Sequence, residues 1–312
     1  MTLTDIEPSG LSRVRLTERE AVVARRLASG LTFDVGQGEK VVEMLPLAAF
    51  DPGKLVILAT RNGVVKKTEL DAFSSIRSSG IIAVNIDEGD ALVGARVTDG
   101  KSDLALCTRE GRVARFKEEK VRTVGRTARG VKGITLRKGD EVVAMEVLDR
   151  DLPATLLTVC ERGFGKRTPS ADYPTKGRGS QGVITIKTGE RNGKVVGVTV
   201  VRDSDELMLI TNNGRIIRIR VSGIPTRGRN TMGVRLIRVA EGESVVAMET
   251  LSDVIEPGTG EGVEAGAAVD GGAAGAEDAT AQIEELEGLE TEDELGGGAE
   301  DDDEDDAEDD AE

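Results

Sequence analysis

The chain has 312 residues but no histidine, no tryptophan, one tyrosine and two cysteines, and aromatic side chains make up only 2% of it. The missing histidine removes the usual general base near neutral pH and the commonest transition-metal ligand. Cys107 and Cys160 sit in separate hydrophobic runs, too few for a cysteine zinc site. They read as buried thiols of a reducing cytoplasm and not as a disulfide. Tyr173 stands in Asp172-Tyr173-Pro174, a setting for a turn or for packing, not for nucleophilic catalysis. So few aromatics argue against stacking on single strands and against RNA-recognition sheets. No apolar run reaches the roughly 18 residues that a membrane span requires, and MTLTDIEPSG lacks the basic start and apolar core of a signal peptide. No GxxxxGK[ST] phosphate loop and no EF-hand spacing occurs. The sequence therefore excludes the commoner catalytic and metal chemistries, and no catalytic residue, metal site or cofactor is assigned.

Charge is abundant and unevenly placed. The formal net charge is -16, yet residues 38–253 carry 36 basic and 28 acidic side chains while residues 254–312 carry 24 acids and no base. A basic body is thus joined to a polyanionic tail. The body suits a negatively charged partner, and the tail could compete for the same surface. Residues 254–312 are Gly/Ala/acid filler ending in GGGAEDDDEDDAEDDAE, a composition expected to stay disordered. At the other end, Thr17 to Glu20 has capping-box spacing, and residues 18–27 read as a short helix stopped at Gly30. Residues 1–37 otherwise match nothing later in the chain.

From residue 38 to residue 253 the chain repeats itself. Tight-turn glycines recur at Gly63, Gly111, Gly163 and Gly214, and a second set at Gly80, Gly130, Gly182 and Gly233. A third marks Gly-Asp turns at Gly89 and Gly139 and a Gly-Glu turn at Gly242, where the third copy has Gly-Glu-Arg-Asn-Gly instead. A period of about 50 residues with no helical spacing implies an all-β bladed architecture. The copies span about 54–101, 102–153, 154–204 and 205–253. Each reads as strand, tight turn, strand, basic loop, strand, acidic turn, strand. Residues 38–53 resemble only the closing strand of such a unit. In the last copy Ile217, Ile219 and Val221 alternate with Arg218 and Arg220, which predicts a half-exposed strand with arginines along one face.

Cations occupy fixed addresses in this repeat. Four residues past each turn glycine stand Lys67, Arg115, Arg167 and Arg218. Four before the second glycine stand Arg126, Arg178 and Arg229, with Arg77 one place off in the first copy. Around them cluster Lys66, Arg112, Lys117, Arg122, Arg129, Lys166, Lys176, Arg215, Arg220 and Arg227. Edge-strand cations that merely prevent sheet-to-sheet pairing are one reading. Two ranks at blade spacing favour another, a curved basic surface that holds duplex DNA by its phosphates without reading bases.

Four segments carry a family likeness: VVKKTELDAF, GRVARFKEEKVRTVGRTARGVKGI, GFGKRTPSADYPTKGRGSQGVITIKTGERNGKVVGV and IPTRGRNTMGV. Over residues 38–253 the chain resembles the last four blades of the C-terminal DNA-wrapping domain of the DNA gyrase A subunit, and its acidic end resembles the variable tail of that domain. The resemblance implies a β-pinwheel whose positive rim bends duplex DNA, in a type IIA topoisomerase that introduces negative supercoils. ATP and magnesium would belong to the rest of that complex, and the implied partners are the remainder of the gyrase A subunit and the gyrase B subunit. The basic heptad of the family's first blade has no counterpart in residues 1–37. The related domain of topoisomerase IV is one alternative. A protein-binding β scaffold whose tail engages basic partners is another.

Overall fold

The computed structural model describes residues 15–17, 41–45, 47, 49–75 and 80–251. The expected helix over 18–27, Arg77 and the acidic tail lie outside the described residues. Two short strands, β1 (Arg15–Thr17) and β2 (Val41–Met44), pair antiparallel ahead of the repeats. The first repeat contributes β3 (Leu55–Thr60), β4 (Val64–Glu69) and β5 (Leu92–Thr98). The second supplies β6 (Asp103–Thr108), β7 (Arg112–Lys117), the two-residue β8 (Val131–Lys132) and β9 (Val142–Leu148). In the third are β10 (Thr155–Cys160), β11 (Phe164–Pro169), β12 (Val183–Ile184) and β13 (Val195–Val201). The fourth gives β14 (Glu206–Thr211), β15 (Ile216–Arg220), β16 (Val234–Arg235) and β17 (Val245–Leu251).

The architecture is all-β and bladed, as the repeat predicts, but the blades do not coincide with the repeats. Their strand orders are β5-β3-β4-β8, β12-β7-β6-β9, β13-β10-β11-β16 and β15-β14-β17. The second, third and fourth repeats therefore each hand a short third strand to the blade before: Val131 lies opposite Val65, Val183 opposite Val113 and Val234 opposite Gly165. The last blade has three strands, and the outer edge of β15 is unpaired among the described residues.

Glycine makes the handover possible. Gly182, at φ +72°, precedes β12, and a Cβ there would stand 2.7 Å from the Val113 carbonyl oxygen. A left-handed backbone conformation and such a close approach both demand the smallest residue.

Of the four apolar clusters among the described residues, three lie between neighbouring blades, and the fourth lies within the first repeat with Val42, Leu45, Leu47 and Phe50 packed against it. One cluster joins Ile57, Ala59 and Val65 of the first to Leu104, Leu106 and Phe116 of the second. Another joins Leu157 and Val159 of the third to Leu207, Leu209 and Ile219 of the fourth. Burying each such aliphatic side chain contributes about 1.5–3 kcal/mol, so neighbouring blades stabilise each other. The innermost strands β5, β9, β13 and β17 border an open channel of about 740 Å3. Arg96 bridges there between Glu43 at 2.6 Å and Glu146 at 3.2 Å. Burial pushes the Glu146 carboxyl above the usual carboxylate range even though Arg96 pulls the other way.

Candidate nucleic-acid interface

The first rank of cations turns inward. Lys67 is 6% exposed. Its Nζ donates to the Glu118 backbone oxygen at 3.1 Å and lies 3.8 Å from the buried Glu118 carboxylate. Arg115 donates from Nε to Asp103 at 2.9 Å and from Nη1 to the carbonyls of Ser170 at 2.7 Å and Tyr173 at 3.3 Å. Arg167, 9% exposed, donates to the Ile224 carbonyl at 2.5 Å and pairs with Asp203. Glu118, Ser170, Tyr173 and Ile224 lie in, or directly after, the short 3-10 turn of the next repeat.

These three residues staple one blade to the following one, which corrects the expectation that they grip phosphate. A residue with the same address in every repeat meets the same neighbour in every next repeat, so packing explains the periodicity. Burial alone would raise the Asp103 pKa, but donation from Arg150, Arg115 and Thr175 holds that carboxyl below its usual range. Arg218 has the same address but no following repeat. Its side chain is 58% exposed and pairs with Glu206 of its own blade.

Lys66 and Lys166 also depart from expectation, being 1% and 0% exposed. Strand alternation sends Lys66 and Lys67 to opposite faces, yet both faces of β4 are covered. One side meets the next blade, and the other lies beneath the next repeat's basic loop.

Those loops, residues 122–130, 174–182 and 225–233, are the exposed basic feature. Each runs as a strap beside the outer strand of the preceding blade, through the parallel bridges Lys67↔Thr123, Arg115↔Thr175 and Arg167↔Thr226. The N–H groups of Val124, Lys176 and Arg227 donate to the carbonyls of Lys67, Arg115 and Arg167 at 2.8, 2.9 and 2.8 Å. Arg122, Arg129, Lys176, Arg178 and Arg227 on these straps are exposed, as is Lys117 at the end of β7.

The second rank stays at this surface. Arg126 donates to the Ile82 carbonyl at 2.9 Å, Arg229 to that of Ile184 at 3.2 Å, and Arg178 to those of Lys132 and, at 3.2 Å, Lys120. Ile82, Lys132 and Ile184 hold equivalent places, two residues past the second glycine of successive repeats, so the strap arginines are aimed by a repeated contact.

The remaining candidates divide the same way. Arg112 clamps the middle strap by donating to Gln181 at 3.0 Å and Gly182 at 2.8 Å. Arg215 at the same address in the last blade turns to Glu243 at 2.9 Å. Arg220 is exposed, as the alternation of β15 predicts. Sequence reasoning missed the exposed cations Lys132, Arg137, Lys138, Lys187 and Arg238. The Arg137-Lys138 pair before Gly139 was the available signal.

Tyr173 is buried, and its hydroxyl shares a 2.6 Å hydrogen bond with Thr185. Burial pushes the phenol up to about 12. Cys107 and Cys160 are free and buried in one cluster. Burial raises both thiols, Cys160 to about 12. No group of histidine, cysteine and carboxylate side chains capable of holding a metal occurs among the described residues. Nor is any described helix long and apolar enough to cross a membrane.

Comparison with known proteins matches this repeat directly. The family model described as "DNA gyrase C-terminal domain, beta-propeller" matches residues 54–99, 102–149, 154–202 and 205–252. The DNA gyrase A subunit of Klebsiella oxytoca is 48% identical over 218 residues, covering 70% of this chain and 25% of that protein. The equivalent gyrase polypeptide of Escherichia coli K12 is 45% identical over 220 residues, with the same shares. The chain thus spans about a quarter of the length of these curated relatives. Among solved structures, the C-terminal domain of DNA topoisomerase IV superposes with a TM-score of 0.66 at 27% identity, covering 70% of this chain and 68% of that one. The DNA gyrase A C-terminal domain reaches the same 0.66 at 20% identity, covering 75% and 80%, a likeness of fold alone. The topoisomerase IV alternative is not favoured, since the identities of 45% and 48% belong to gyrase subunits. The chain belongs to the DNA gyrase C-terminal domain family of β-propeller repeats.

Proposed function

We propose that this chain binds duplex DNA by its phosphates, without reading sequence, and bends it along the three straps. The observation that carries the reading is that each of the three successive straps holds exposed cations, Arg122 and Arg129, then Lys176 and Arg178, then Arg227; Lys176 and Arg227 share one repeat address, and Arg178 shares another with Arg126 and Arg229. Half-exposed Arg126 and Arg229 flank them. Side chains spaced at blade intervals suit a target whose charge is itself regularly spaced, and guanidinium forks suit phosphate oxygens. Scarce aromatics leave little means of stacking on bases.

If each strap engages about two phosphates, the log-log salt slope of binding would be near -5. Bending a 20–30 bp segment costs roughly 1–6 kcal/mol, which contacts on several straps could offset. The family supports placing this activity within DNA gyrase. There the bent segment would feed strand passage, and the rest of the gyrase A subunit, the gyrase B subunit, ATP and magnesium would supply the chemistry in the bacterial cytoplasm. The reading assigns no cofactor to the chain itself. Titrating a labelled duplex of random sequence across salt tests it: a steep slope independent of sequence is expected. Affinity that is absent or indifferent to salt would overturn the reading.

A further inference from the structure

We infer that Lys66 and Lys166 are positioning residues for phosphate binding: each buried ammonium anchors a basic strap from behind and so sets where that strap's arginines point. The inference rests on the DNA-binding reading above. Lys66 Nζ donates to the Ala83 carbonyl at 2.6 Å and to the carbonyl of Arg126. Lys166 Nζ donates to the carbonyls of Gly228 and, at 2.7 Å, Arg229, and to the Thr231 hydroxyl at 2.9 Å. The residues whose carbonyls are caught include the second-rank arginines themselves. Arg126 is therefore held at both ends, its carbonyl by Lys66 and its guanidinium by the Ile82 carbonyl. Arg229 is held likewise, by Lys166 and by the Ile184 carbonyl.

An ammonium suits this place because it has three donors and no acceptor, so it can gather several carbonyls at once. A cleft of about 240 Å3, lined in part by Lys66, Arg122 and Arg129, separates the first strap from its blade. Joining blades does not itself require the lysine. Ala114 stands at this address in the second blade, where Arg112 clamps the strap from the side.

The surroundings make the two groups readable. Burial, assisted for Lys66 by the charge of Arg126, lowers that ammonium to about 8. Burial likewise lowers Lys166 to about 8, with Arg229 pushing down and Cys160 and Asp172 pushing up. The chain has no histidine, and burial has moved the thiols and the phenol upward, out of this range. Because the folded pKa lies below the unfolded one, the unfolded chain binds more protons between the two, and stability rises with pH from about 8 towards the ordinary lysine value. DNA affinity should move the opposite way as the straps lose their charged anchors. A purely structural lysine would not separate the two trends.

The test measures the salt slope of duplex binding by the full chain at pH 7 and pH 9, beside thermal unfolding at both. The wild-type slope is expected to become shallower by about 2, the equivalent of two phosphates, while the melting temperature does not fall. The K66M/K166M variant should show the shallow slope at both pH values. A wild-type slope unchanged between pH 7 and pH 9 overturns the inference, as does a folded double variant with the wild-type slope. If that variant fails to fold, the wild-type titration decides alone. Absence of salt-dependent binding by the wild type at pH 7 would instead overturn the DNA-binding reading, and this inference with it.

Discussion

The third and fourth blades carry equivalent residues, and only the third has a repeat after it. Arg167 is buried against Ile224 and Asp203, whereas Arg218 at the same address is mostly exposed on Glu206. Strand β10 is buried along nearly its whole length, while β14 alternates between buried and half-exposed. Ile216 at the start of β15 is 62% exposed, where the other outer strands are covered by a strand from the next repeat. Residues at these addresses thus act on the blade ahead, and without one they revert to ordinary surface. The unit of stability is the junction between blades, not the blade.

Removing a staple should break that contrast most severely. Lys67→Met leaves the buried Glu118 carboxylate without its cation and is expected to cost about 3–5 kcal/mol. Arg218→Met, which removes an exposed pair, should cost no more than about 1 kcal/mol. Urea denaturation of both variants provides the comparison. The turn glycines give a second, smaller contrast. At Gly111, φ is +80° and a Cβ would stand 2.3 Å from the Ile186 carbonyl oxygen, while Gly214 has φ +79° with nothing within 4 Å. Gly111→Ala should cost roughly 3 kcal/mol, combining backbone strain with overpacking. Strain alone leaves Gly214→Ala at about 1–2 kcal/mol.

The strap clamp gives a third. Arg112→Ala loses two hydrogen bonds to strap carbonyls and should cost about 1–2 kcal/mol. Arg215→Ala touches no strap, so the difference should appear in hydrogen exchange: residues 179–182 become faster in the first variant and stay unchanged in the second.

Much of this fold was legible because glycine spacing reports backbone geometry directly. Gly63, Gly111, Gly163 and Gly214 all adopt positive φ, as do Gly80, Gly130, Gly182 and Gly233. What could not be read was the handover of β8, β12 and β16, since a two-residue strand such as Val131–Lys132 carries no sign of which blade it joins. The reading of the cations failed for the same reason. Lys67, Arg115 and Arg167 look like rim charges when each repeat is its own blade, and become interior staples once the next repeat folds over them. Lys66 and Lys166 were hidden further, because charged residues are rarely buried completely unless they are paired or fully hydrogen-bonded. The second rank escapes this burial. Arg126, Arg178 and Arg229 lie on loops, and a loop over a strand's outside keeps its side chains near solvent.

The division of labour between staples and straps is tested most directly by one strap-cation variant. Arg122, Arg178 and Arg227, one from each strap, are replaced together by alanine in the full chain, and duplex binding is titrated across salt beside thermal unfolding. The slope should flatten by about 3, close to one phosphate per residue removed, with the melting temperature nearly unchanged. A slope equal to that of the wild type in a folded variant would contradict the assignment of the straps to DNA.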